Sequence, residues 1–117
     1  MSSASQPIVC QLDALSPSER SRRSDLAALI QSKATGADEF DAGFRIRLPD
    51  DPSLLQSALE LILLERRCCP FLALDLSFEP DDGAVGLRVG GPPGVKEFLR
   101  DNGILGCARP VARDECC

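Results

Sequence analysis

The cleanest alternation in the chain runs from Gly43 to Pro49, where Phe44, Ile46 and Leu48 are interleaved with Arg45 and Arg47. A period of two places the apolar side chains on one face and the arginines on the other, the pattern of a half-buried strand. Phe71 to Glu79 repeats it, with Leu72, Leu74, Leu76 and Phe78 inward and Ala73, Asp75 and Ser77 outward. Pro80-Asp81-Asp82-Gly83 turns the chain, and Ala84 to Gly90 returns with Val85, Leu87 and Val89 inward, so the two segments read as a hairpin. Asp75 and Arg88 then share its outer face. A shorter alternation over Pro7 to Leu12, with Ile8, Cys10 and Leu12 on one side, predicts a further strand.

Helical spacing fills the gaps. Ser16, Pro17 and Glu19 form a start signal: N-cap, first helical position and the far half of a capping box. Leu26, Leu29, Ile30 and Lys33 follow at helical spacing, and Gly36 is the expected stop. Asp51-Pro52 opens a second helix, apolar around most of its circumference. It must end at Cys68-Cys69, because Pro70 disfavours helical geometry in the residue before it and has no N–H to donate. Gly90-Gly91-Pro92-Pro93-Gly94 is a turn; as an anion cradle it would lack the two amides that proline removes. A last short helix, Val95 to Asn102, ends at Gly103.

Each strand has one apolar and one more polar face, so helices are expected on one side only. The fold class is α+β: a two-layer sandwich of about four mostly antiparallel strands with two to three helices on one face. Residues 1–6 are expected to be a disordered N-terminus, 7–103 a single α+β domain, and 104–117 a flexible cysteine-containing tail.

Composition narrows the partners. A net charge of −5 gives no general attraction to nucleic acid, and five Phe without Tyr or Trp offer little for base stacking. The densest apolar run, Leu54 to Leu64, is interrupted by Gln56 and Glu60 and is too short to span a bilayer. With no basic, apolar leader at the start, the expectation is a cytoplasmic protein whose thiols are kept reduced. All six cysteines are then thiols that something binds or uses, or that simply pack.

At about 100° per residue, Cys69 falls on the stripe of Leu55, Ala58 and Ile62, with Glu65 one turn before it. Cys68 points toward Leu61 and Leu64, at the margin of the helix–sheet interface, while Cys10 lies on the inward face of the first strand and within reach of the pair. A helix C-terminus raises a thiol pKa, which counts against redox catalysis; a bound cation overrides it by deprotonating the thiol outright. With no His and no paired C-x-x-C, zinc would need four thiolates or carboxylate help. Soft ions that take two or three thiolates fit better, such as Hg(II), Cu(I) or As(III), with Zn(II) still possible.

The expected metal ligands are therefore Cys68, Cys69 and Cys10 as a receiving site, and Cys116 and Cys117 as a capture arm, with Cys107 intermediate. Glu65 is the candidate proton donor if the chain cleaves an organomercurial. Packing alone would explain Cys10, and would explain Cys68 and Cys69 about as well as ligation does. Arg20, Arg22 and Arg23 read as a solvated helix face. Arg45, Arg47 and Arg88, with Asp75, line the outer sheet face, compatible with solvent or with a homodimer surface.

Two resemblances add to this. Glu65-Arg66-Arg67-Cys68-Cys69-Pro70-Phe71, with Cys10, Glu19, Arg20 and the run Gly94 to Leu99, resembles a family of small uncharacterised bacterial proteins over residues 8–100. It implies a domain extent and no activity. The terminal Cys116-Cys117 is similar to the tail of mercuric reductases, where a vicinal pair captures Hg(II) and delivers it onward. Only those two positions correspond; the flavin-binding fold and redox motif of that family are absent. The reading that results is a soft-metal, Hg(II)-directed thiolate protein for sequestration or transfer to a metal-receiving protein, leaning away from an enzyme. A thiol–disulfide switch using the vicinal cysteines is the alternative, followed by organomercurial cleavage or an interaction domain with incidental cysteines.

Overall fold

The computed structural model describes residues 8, 11–81 and 83–103. Helix α1 spans Pro17–Lys33 and begins as its sequence dictates. The Ser16 Oγ accepts from the Glu19 N–H at 3.2 Å, and the Ser16 N–H donates to Glu19 Oε1 at 2.9 Å, a complete capping box. Strands β1 (Gly36–Phe40) and β2 (Gly43–Leu48) form a hairpin. Helix α2 spans Pro52–Cys68, capped by Asp51, whose carboxylate accepts from the Ser53 N–H at 3.3 Å. Strands β3 (Ala73–Phe78) and β4 (Val85–Gly90) are a second hairpin, and α3 (Val95–Asn102) completes the described fold.

The sheet order is β1-β2-β4-β3, with antiparallel pairing throughout. β2 and β3 consequently run parallel with β4 inserted between them, and α2 is the crossover that joins them. The arrangement is the α+β sandwich that the periodicities predict. Ile46, Leu48, Leu87 and Val89 are buried on the inner face, against Leu26, Ala27 and Ile30 of α1, Leu54, Ala58, Leu61 and Ile62 of α2, and Val95 and Leu99 of α3, and Val85 is buried too. Phe71 and Phe98 meet edge to face, with ring centroids 5.2 Å apart, and fasten α3 to the segment after α2.

The outer face is polar. Asp75 and Arg88 are paired across the β3–β4 register, and the Arg45 guanidinium hydrogen-bonds the Ser77 Oγ at 3.3 Å. The Arg45 guanidinium passes over Gly86: a Cβ there would come within 2.5 Å of Arg45 Nε, and the flexible arginine would have to shift.

Four expectations are corrected. The predicted strand over 7–12 is not formed by its described residues: Ile8 and Gln11 belong to no strand, and Leu12 opens a single 3-10 turn, Leu12–Ala14. The Gln11 N–H is spent on the Cys68 carbonyl at 2.7 Å, so this segment docks on the end of α2 instead of a sheet edge. The fourth strand is β1, which opens at Gly36, the residue expected only to stop α1; that helix ends earlier, with Ala34 as its C-cap. Phe78, the last residue of edge strand β3, is 59% exposed. Arg23, read as solvated, is buried.

Candidate metal centre

The last turn of α2 carries Glu65, Cys68 and Cys69. Separations of three and four residues bring all three side chains to one stretch of the helix surface. Cys69 already departs from helical geometry (φ −127°, ψ 71°) ahead of Pro70, yet its N–H still donates to the Glu65 carbonyl at 2.7 Å. The helix therefore reaches the sulfur pair with its last hydrogen bond intact, and Leu72 N–H closes the turn beyond it on the Cys69 carbonyl at 3.0 Å.

Burial is complete. Glu65 is 3%, Cys68 0% and Cys69 2% exposed. Cys68 was expected at the margin of the interface. It is instead enclosed, because the segment 11–15 folds over the end of α2, held by the Gln11–Cys68 backbone bond, by Arg67 Nη2 donating to the Ala14 carbonyl at 2.8 Å, and by the buried Leu15.

One carboxylate oxygen of Glu65 and the two sulfurs all lie within 4.8 Å of one another, close enough to share a metal ion. The Cys68 and Cys69 sulfurs are 3.6 Å apart and not bonded to each other, since a disulfide needs about 2.05 Å. Cys68 keeps its thiol, whereas Cys69 is disulfide-bonded. Ligation by both sulfurs requires that bond to be reduced first, because the ligand is a thiolate. Cys10, Cys107, Cys116 and Cys117 lie outside the described residues.

A fourth residue completes the cluster, and it was missed as a site residue. Arg23 of α1 is 1% exposed, and its Nη2 meets Glu65 Oε2 at 2.5 Å, an ion pair closed off from water. The signal was present: Arg23 precedes Leu26, Ala27 and Ile30 by three, four and seven residues, the buried stripe of α1. Of its two neighbours, Arg22 does face solvent, where it forms a fork with Glu60 at 2.8 and 2.9 Å, and Arg20 donates to the Leu15 carbonyl at 3.0 Å. Glu65 Oε1, by contrast with Oε2, is buried with no hydrogen-bond partner among the described residues. An unsatisfied carboxylate oxygen of this kind is costly unless a donor or a cation meets it.

The electrostatics run in opposite directions. Desolvation pushes the Glu65 carboxyl above its usual range while the Arg23 charge pulls it down. The Cys68 thiol is pushed up to about 11, by desolvation first and by the Glu65 charge second; Arg23 partly offsets both. At neutral pH this thiol is protonated and a poor nucleophile, while a soft cation would displace its proton. With Cys69 reduced, two sulfurs and a carboxylate could hold a metal ion here, with an arginine behind the carboxylate.

Comparisons with family models, with curated proteins and with solved structures return no match. Among the described residues no helix is long and apolar enough to cross a membrane.

Proposed function

We propose that the chain is a soft-metal thiolate protein, with Hg(II) as the ion that fits its donors best and Cu(I) and As(III) as further members of the class. The observation that carries this reading is the buried triad Glu65, Cys68 and Cys69, whose donor atoms lie within 4.8 Å and whose Glu65 Oε1 has no other described partner. Two thiolates suit a soft ion, and the carboxylate adds a weak third contact. Cargo arrives by ligand exchange: an ion held by two small-molecule thiols is taken by Cys68 and Cys69, and the two protons they give up leave on the departing thiols. The terminal pair Cys116-Cys117, by its similarity to the tail of mercuric reductases, is the natural capture arm, and a metal-receiving protein the natural destination.

A second reading is favoured by the Cys69 disulfide. The Cys68 sulfur is 3.6 Å from Cys69, so a Cys68 thiolate could attack Cys69 Sγ, form a Cys68–Cys69 bond and release the former partner as thiolate. The buried, protonated state of Cys68 makes that exchange slow at neutral pH, which ranks it second.

The test is native mass spectrometry of the fully reduced protein, titrated with Hg(II), Cu(I) and Zn(II) under excess glutathione. The expected result is one Hg(II) per chain that survives glutathione and is lost in the double variant Cys68→Ser, Cys69→Ser. Removal of every metal by glutathione would overturn the metal reading and leave the exchange reading standing.

A further inference from the structure

The Arg23–Glu65 pair is conspicuous because it is an ion pair buried directly behind two sulfurs. A burial this complete is expensive, and a fold gains little stability from it over apolar residues of the same size. What the pair does change is the charge that a metal ion meets. With both sulfurs as thiolates, the described members of the set are one guanidinium, one carboxylate and two thiolates, which together carry two negative charges. A divalent ion closes that set to neutrality. A monovalent ion leaves one negative charge buried, and a site of this kind penalises uncompensated charge.

Resting on the metal reading above, we propose that Arg23 and Glu65 determine the charge of the ion the Cys68–Cys69 site takes, selecting a divalent over a monovalent soft ion. Softness alone does not make this choice, because Hg(II) and Ag(I) are both closed-shell ions content with two thiolates. Arg23 is a positioning and specificity residue in this scheme. Its guanidinium holds Glu65 Oε2, which leaves Oε1 as the carboxylate atom available to the ion.

Two substitutions move the enclosed charge in opposite directions. Glu65→Gln keeps an oxygen for Arg23 to bond and removes one negative charge, leaving a set that a monovalent ion neutralises. Arg23→Gln leaves a neutral amide on a shorter side chain and removes one positive charge, which strengthens the demand for a multivalent ion. Reduced wild type and both variants are titrated with Hg(II) and with Ag(I), each in competition with glutathione, and read by native mass spectrometry, with circular dichroism confirming the fold.

The expected result is an Hg(II)-to-Ag(I) preference that falls in Glu65→Gln and rises in Arg23→Gln. The size expected is about a hundredfold per unit charge, the order given by a charge a few ångström from the ion at an effective dielectric constant near 20. The double variant restores the wild-type charge and should restore the wild-type preference. If one single variant does not fold, the other and the double still report a direction and a return. An unchanged ratio, or a shift of the same sign in both single variants, overturns the proposal while leaving the site itself in place. Failure of wild type to retain either ion under glutathione is the separate result that overturns the metal reading.

Discussion

At the scale of single residues, Arg23 and Glu65 explain most of what is unusual here. Each is an ionic side chain in a region of Leu, Ala, Ile and Cys, and each is tolerated only because the other is there. Removing one partner is therefore expected to cost far more than removing both. Arg23→Met should lower the unfolding free energy by about 3–5 kcal/mol, since it strands the Glu65 carboxylate in the core. Arg23→Met combined with Glu65→Leu should recover most of that loss, and chemical denaturation of the four proteins of the cycle measures both numbers. A loss in the single variant that persists undiminished in the double would mean that the guanidinium packs for its own sake. Arg23 also shows why the site was only half legible in the sequence. Glu65, Cys68 and Cys69 announce themselves by spacing on one helix, but the arginine that meets them is 42 residues earlier. Its position on the α1 stripe was readable; that its head group would be stored there was not, because charge is the strongest prior for exposure and only the tertiary partner reverses it.

At the scale of elements, the start of α1 is tied to the end of α2 by Glu19 and Arg67. The Arg67 guanidinium donates to both Glu19 oxygens, at 2.8 and 3.2 Å, while Glu19 also closes the capping box. The hydrogen bond from Arg67, followed by that from the Ser16 backbone, lowers the Glu19 carboxyl from 4.5 to about 2. A carboxyl whose folded pKa lies below its unfolded one contributes stability that is fully present above about pH 4.5 and fades as the pH falls toward 2. Thermal melts between pH 6 and 2 should therefore decline across this window. Glu19→Gln, which retains the capping geometry, should flatten part of that decline; an identical pH profile in the variant would show that the pair does not couple the two elements. The helices that this pair joins were readable because caps and period agree. β1 was not. Gly-Ala-Asp-Glu-Phe has no alternation to read, and its strand state is imposed from outside: by the β2 ladder, by Arg47 on Asp38 at 3.1 Å, by Lys96 on Glu39 at 2.7 Å and by Arg88 stacked 4.7 Å from the Phe40 ring. Edge strands of this kind are made by their neighbours.

At the scale of the whole molecule, the question is whether the cysteines are organised by the fold or merely present in it, and thermodynamic linkage separates the two. An unfolded, reduced chain offers six thiols to a soft ion with no geometric constraint. A ligand that binds both states stabilises only by its preference for the folded one. If burial of Cys68 and Cys69 beside Glu65 is a prepared site, one equivalent of Hg(II) binds the native chain better and the melting temperature of the reduced protein rises. If the thiols are incidental, burial hinders access, the unfolded chain is the better ligand, and the same addition lowers it. The expected sign is positive. For a chain near 100 residues, each 1 kcal/mol of preference corresponds to about 4–8 °C, so a preference of even 1 kcal/mol is measurable. Without reductant the rise should be absent, because the Cys69 sulfur is then held in its disulfide and the site offers one thiol instead of two. Cys68→Ser should reverse the sign in the reduced protein, as it leaves five thiols to the unfolded chain and disables the folded site. A fall in melting temperature for the wild type would assign Cys68 and Cys69 to the core as small apolar residues, in keeping with their place in the buried cluster.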